Sequence, residues 1–214
     1  MLTTQQVGIM VRRMEMQHGM LSMMSQVRDH LLTSAALADL EHHEIVGGEL
    51  VRKASPSYAH GSMQMLLGAA LRGFYGRGGG AGRPGGWWLG TEVEIELARY
   101  EVYLPDIAGW RIDRVSEPPQ ERPVRVAPDW VCEVLSPSTA SRDLGHKLRT
   151  YQRAHVGHYW VVEPGNQTIT VYRWHEAGYV VAMAAGAGEM VRAEPFEAME
   201  LDVADVFGLP PREQ

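Results

Sequence analysis

The segment DWVCEVLS, residues 129–136, is nearly continuous apolar sequence. Such a run is typical of a strand buried on both faces, which belongs in the middle of a sheet with a layer packed on each side. One residue breaks the pattern. Glu133 lies among Val131, Cys132, Val134 and Leu135. A carboxylate there is costly unless it is paired, protonated or bound to a cation. The ordinary explanations are a salt bridge to an arginine or a strand end that reaches water.

The rest of the chain supplies the partners such a strand needs. Residues 42–53, HHEIVGGELVRK, read as a hairpin about the turn-favouring pair Gly47-Gly48. Residues 58–74 place Met63, Leu66, Leu67, Ala70 and Phe74 on one face of an amphipathic helix. LLTSAALADL reads as a short helix with Thr33 or Ser34 as a cap. WWLGTEVEIELARY and VYLPDIAGWR each read as one strand, and HYWVVEP, QTITVYRW and YVVAMA as three more. Residues 136–155 read as a capped helix. The Gly-rich stretch 76–86 is followed by Trp87-Trp88 and a strand, not by the Lys-Ser/Thr and helix of a phosphate-binding loop, so it reads as a connector. The fold class is α+β, a mixed sheet flanked by a few helices, in one domain over residues 31–208.

Residues 1–30 differ. They hold seven of the twelve methionines and show weak periodicity, which reads as a poorly ordered extension or an upstream start. Residues 209–214 read as a tail. No apolar run approaches the ~20 residues of a membrane span. The single cysteine, Cys132, cannot form an internal disulfide, and a buried inert thiol fits a reducing cytoplasm. The net charge of −6 argues against nonspecific coating of nucleic acid, which depends on Lys and Arg. It leaves room for an acidic site that meets phosphate through bound cations.

Two Pro-Asp pairs precede Glu133. Asp129 lies four residues away on the same strand, ~13 Å along it, too far to share an ion. Asp106 lies on another strand and converges with Glu133 if the two strands are neighbours at ~4.8 Å. Asp106 is therefore the candidate partner. On the following helix Asp143, Lys147 and Tyr151 are spaced i, i+4, i+8 and share a face, with Leu144 and Leu148 beside them marking the core side. Alone, Asp143 and Lys147 read as an ordinary ion pair. Arg142, His146, Arg149 and Arg153 form a basic stripe away from the core. Glu49, on the hairpin, is a further candidate. His42, His43 and His60 read as surface or supporting residues, since no zinc-binding spacing occurs.

These residues resemble a family. HHEIVGGEL, PSYAHG, YLPDIAGWR, APDWVCEVLSPSTASRDLGHKLRTYQRAHVGHYWVVEP, ITVYR and LDVADVFG are similar, in order, to the Uma-type restriction-endonuclease family, long listed as a domain of unknown function. That family resembles a branch of the PD-(D/E)xK nucleases. The resemblance implies a restriction-endonuclease-like mixed sheet with helices on both faces, and Mg²⁺ (or Mn²⁺) held by acids. It implies Asp106 and Glu133 as catalytic metal ligands, with Glu49 completing the set. The superfamily's lysine falls at Leu135, which cannot serve, so the role passes to Lys147. Asp143 and Tyr151 would orient Lys147, and His60 would support the site. The implied substrate is DNA, cut by phosphodiester hydrolysis, with a homodimer expected and no organic cofactor. The competing expectation is a catalytically inactive member that serves as a binding or dimerisation module.

Overall fold

The hairpin, the long helix and the central strand form where the residue patterns place them. The protein is described by a computed structural model, which covers residues 31–76, 78, 82–136 and 143–210. The Met-rich extension, the tip of the Gly-rich connector, Arg142 and the last four residues lie outside the described residues.

A 3-10 turn at Ser34–Leu37 opens the described chain. Thr33 precedes it without a capping bond, and Ser34 Oγ instead donates to Glu96 Oε2 at 3.0 Å. Strands β1 (His43–Val46) and β2 (Glu49–Arg52) form the hairpin. Gly47 and Gly48 turn it with positive φ, where a Cβ would be strained. Helix α1 (Tyr58–Tyr75) is capped by Ser57 Oγ, which accepts from His60 N at 3.2 Å. Its buried stripe is Met63, Leu67, Leu71 and Tyr75. That is an i, i+4 ridge, and Ala70, expected on it, is exposed.

The two strands expected over residues 87–111 are four. They are β3 (Trp87–Thr91), β4 (Ile95–Ala98), β5 (Glu101–Tyr103) and β6 (Ile107–Arg111). The first break falls at Glu92, held at φ +53 in left-handed backbone. The second falls at Leu104-Pro105-Asp106, where proline offers no N–H to a ladder. Strand β7 (Trp130–Val134) is buried at every residue. A π-helical turn at Asp143–Lys147 leads into α2 (Leu148–Arg153). Strands β8 (His158–Glu163), β9 (Thr168–Arg173) and β10 (Val180–Gly186) follow. A small ladder of β11 (Met190–Val191) and β12 (Leu201–Asp202) precedes α3 (Val203–Val206).

The main sheet has the order β10-β9-β8-β7-β6-β3, with β7 and β8 parallel and the other pairs antiparallel. A second sheet has the order β2-β1-β5-β4. The connections β3–β4 and β5–β6 therefore both cross from one sheet to the other. The resulting architecture is α+β. One face of the main sheet packs Trp130, Cys132 and Trp160 against α1 and Phe196. The other packs Val131, Tyr159 and Val161 against Ile95 and Tyr103 of the second sheet and Tyr151 of α2. No described helix is long and apolar enough to cross a membrane.

Candidate active site

The seam between the two sheets gathers the charged residues. In the β6–β7 ladder Ile107 lies opposite Cys132, so one step further Asp106 comes opposite Glu133. Asp106 is 1% exposed and Glu133 2%. Asp106 Oδ2 accepts a hydrogen bond from Val134 N at 2.6 Å, which ties the carboxylate to the strand that carries Glu133. Asp129, at the other end of β7, is engaged elsewhere. It accepts from Arg111 N at 2.8 Å and pairs with Arg114 at 2.8 Å.

Lys147 reaches the buried glutamate. Its Nζ lies 2.9 Å from Glu133 Oε1 and 2.8 Å from Glu44 Oε1, and the residue is 2% exposed. Tyr151 donates to the same Glu133 oxygen at 2.8 Å. Tyr151 thus orients the glutamate rather than the lysine. Burial first, and then the Glu133 charge, push the Tyr151 hydroxyl well up, so it keeps its proton and remains a donor. The core side of this segment differs from the expected one. Leu144 is 45% exposed, whereas Lys147, Thr150 and Tyr151 are buried. A π-turn takes up an extra residue per turn, so positions before it are rotated relative to the α-helix that follows. The Asp143 side chain and Arg142 lie outside the described residues. Of the remaining basic stripe, His146 bonds Glu101 at 3.0 Å and Arg153 lies 4.0 Å from it.

Four residues with no motif of their own, Lys53, Gln64, Glu44 and Glu92, complete the cluster. Lys53, just after β2, donates to Asp106 Oδ1 at 2.8 Å, to Leu104 O at 2.7 Å and to both Glu92 oxygens at 2.8 and 2.9 Å. Gln64 Nε2 donates to Asp106 O at 2.7 Å. Glu44 accepts from Leu104 N at 3.0 Å. His60 Nε2 lies 3.1 Å from Asp106 Oδ1. The i, i+4 spacing of His60 and Gln64 on α1 could have marked Gln64 in advance. Nothing local marks Glu44, Lys53 or Glu92, whose partners lie tens of residues away.

Burial alone would raise the Asp106 carboxyl. The hydrogen bond from His60 and the charge of Lys53 outweigh it and bring the group down to about 2. Lys53 shifts the other way. Burial opposes its charge, but Asp106, Glu133 and Glu92 together raise it above the usual lysine range. A depressed carboxyl stabilises the fold above its unfolded pKa, near 3.8, and that contribution is lost as pH falls through about 2. The gap corresponds to about 2 kcal/mol. Asp106→Asn should therefore unfold more easily than the wild type at neutral pH. The difference should close between about pH 4 and pH 2, as read from urea midpoints.

Glu44, Lys53, His60, Asp106, Glu133 and Lys147 line a cavity of about 260 Å³ that also takes in Val134, Leu135, Ser136 and residues 55–57. The chemistry of the donors suits a hard divalent cation. Mg²⁺ takes oxygen ligands and needs only one or two carboxylates beside waters and substrate phosphate. Among the described residues no three His, Cys, Asp or Glu side chains converge as a ready-made cage. An ion there would be held by Asp106 and Glu133 with open positions left for water and phosphate.

Glu49 does not join the cavity. It is exposed on β2 opposite Val46, whereas Glu44 pairs opposite Val51 and turns into the cluster. The two acids share a hairpin face, but Glu49 sits two residues nearer the turn, roughly 7 Å farther along. Glu49→Gln should leave cation binding and stability within error of the wild type, whereas Glu44→Gln should alter both. Paired metal-binding isotherms and thermal melts check this.

Residues 29–204 match the Uma2 family, described as "Putative restriction endonuclease". No curated protein matches the chain. Among solved structures, a putative nuclease belonging to DUF820 from Anabaena variabilis ATCC 29413 is similar, with a TM-score of 0.64 and 19% identity. The match covers 83% of this chain and 98% of that one. At that identity the likeness speaks to the fold, and it bears out the restriction-endonuclease-like core expected from the sequence. With most of its length matched, the chain belongs to the Uma2 family.

Proposed function

We propose that the protein is a metal-dependent endonuclease that hydrolyses phosphodiester bonds in DNA. The observation that carries this reading is the contact of Lys147 with the buried Glu133 at 2.9 Å, on the strand next to Asp106. It sets an ammonium beside Glu133 in a cavity that Asp106 also lines, a combination that suits metal-assisted phosphodiester hydrolysis. Asp106 and Glu133 would hold Mg²⁺ or Mn²⁺. When bound, that ion supplies a water of lowered pKa and offsets charge on the phosphate. Lys147 places positive charge where the phosphate gains negative charge. Tyr151, by donating to Glu133 Oε1, fixes a carboxylate that would hold the ion. His60 holds the Asp106 carboxylate at Oδ1, and Gln64 holds the Asp106 backbone carbonyl. A homodimer, with one protomer per strand, would allow both strands of a duplex to be cut.

The test is cleavage of closed circular duplex, linear duplex and single-stranded DNA under a Mg²⁺ or Mn²⁺ titration. Cleavage that saturates with metal and stops on chelation is the expected result. No cleavage of any substrate at any metal concentration would overturn the proposal and leave a binding or dimerisation module.

A further inference from the structure

Lys53 occupies an unusual position for a lysine next to an ion-binding acid. Its ammonium has three hydrogens. Four acceptor atoms lie within 2.9 Å of it, on Asp106, Glu92 and Leu104. The Lys53 side chain is 12% exposed and Asp106 1%, whereas Glu92 at the rim is 32% exposed. A divalent cation at Asp106 would stand a few ångströms from that ammonium in a partly desolvated cavity, where like charges repel strongly. Both cannot be held tightly by the same carboxylate.

Glu92 offers the ammonium a place to stay. Its backbone is held at φ +53, a costly conformation for a residue with a side chain. Its N–H lies 3.4 Å from Asp106 O, and Gln64 Nε2 lies 3.4 Å from its Oε1. That strained turn, at a crossing between the two sheets, aims the Glu92 carboxylate at Lys53.

We propose that Lys53 is a resident counterion of Asp106, that a divalent cation and the Lys53 ammonium compete for this carboxylate, and that Glu92 retains the lysine when the cation binds. This rests on the metal reading above. Lys53 then acts as a positioning residue. It keeps the Asp106 carboxylate paired and ordered without metal, and it sets the cation concentration at which the site loads.

The experiment is Mn²⁺ binding to the full chain without DNA, followed by electron paramagnetic resonance and calorimetry. Wild type, Lys53→Met, Lys53→Gln, Glu92→Gln and Asp106→Asn are compared, with thermal midpoints confirming that each is folded. Lys53→Gln retains a donor for Asp106 and stands in if Lys53→Met unfolds. Removing the ammonium should tighten Mn²⁺ binding about tenfold, within the range usual for coupled occupants. Glu92→Gln should weaken it, because Asp106 is then the one carboxylate that accepts a hydrogen bond from Lys53. Asp106→Asn should abolish it. Unchanged or weaker Mn²⁺ affinity in both Lys53 variants, with binding still lost in Asp106→Asn, overturns the counterion role and leaves the metal site standing. Absence of Mn²⁺ binding in the wild type and the Lys53 variants alike overturns the metal reading, and the counterion with it.

Discussion

Lys147→Met should cost about 3–5 kcal/mol of stability, the usual penalty for leaving buried charges without their partner. Glu44 is 0% exposed and Glu133 2%, and Lys147 lies within 2.9 Å of both. Methionine fills similar volume, so the loss is electrostatic rather than a cavity effect. The triple variant Lys147→Met, Glu44→Gln, Glu133→Gln should recover much of the stability, since replacing a buried charge set as a whole is often near neutral. It should recover no cleavage. Urea midpoints and cleavage rates on the same preparations separate the structural contribution of Lys147 from its chemical one. If Lys147→Met were as stable as the wild type, the buried cluster would not be held as described.

Asp106→Asn carries the second large effect, and on activity rather than fold. Asparagine can still accept from Val134 N, so the β6–β7 junction should survive with the loss of about 2 kcal/mol argued above from its depressed carboxyl. Its carboxylate charge is gone. A catalytic cation contributes several kcal/mol at the transition state. At about 1.4 kcal/mol per tenfold in rate, losing its ligand should slow cleavage about a thousandfold or more. A variant that stays folded and loses cleavage to this degree places Asp106 in the chemistry.

Much of this site could be read from residue order because its anchor is local. An acid inside a continuous apolar run is costly unless it is paired, protonated or bound to a cation, so Glu133 stood out. Pro105 before Asp106 marked the second acid, and strand spacing ruled out Asp129. The lysine was harder. Lys147 lies 14 residues beyond Glu133, and its spacing alone fits a surface ion pair with Asp143. The π-turn hid the rest, because an ideal helical wheel puts Leu144 inward. Glu44, Lys53 and Glu92 were not legible, since their roles arise only where two connections cross between sheets. Lys53 meets Asp106 across 53 positions and Glu44 meets Leu104 across 60. Glu49 drew attention by following the turn glycines, but the register of the hairpin delivers Glu44 instead.

We propose Asp106, Glu133 and Lys147 as one metal-dependent site. The most direct measurement is the rate of DNA cleavage against Mg²⁺ concentration for wild type and Asp106→Asn, both confirmed folded by thermal melt. A saturating rise for the wild type and a flat line near background for the variant are the expected results. Equal metal-dependent rates in the two proteins, or cleavage that persists in the presence of chelator, would contradict the proposal.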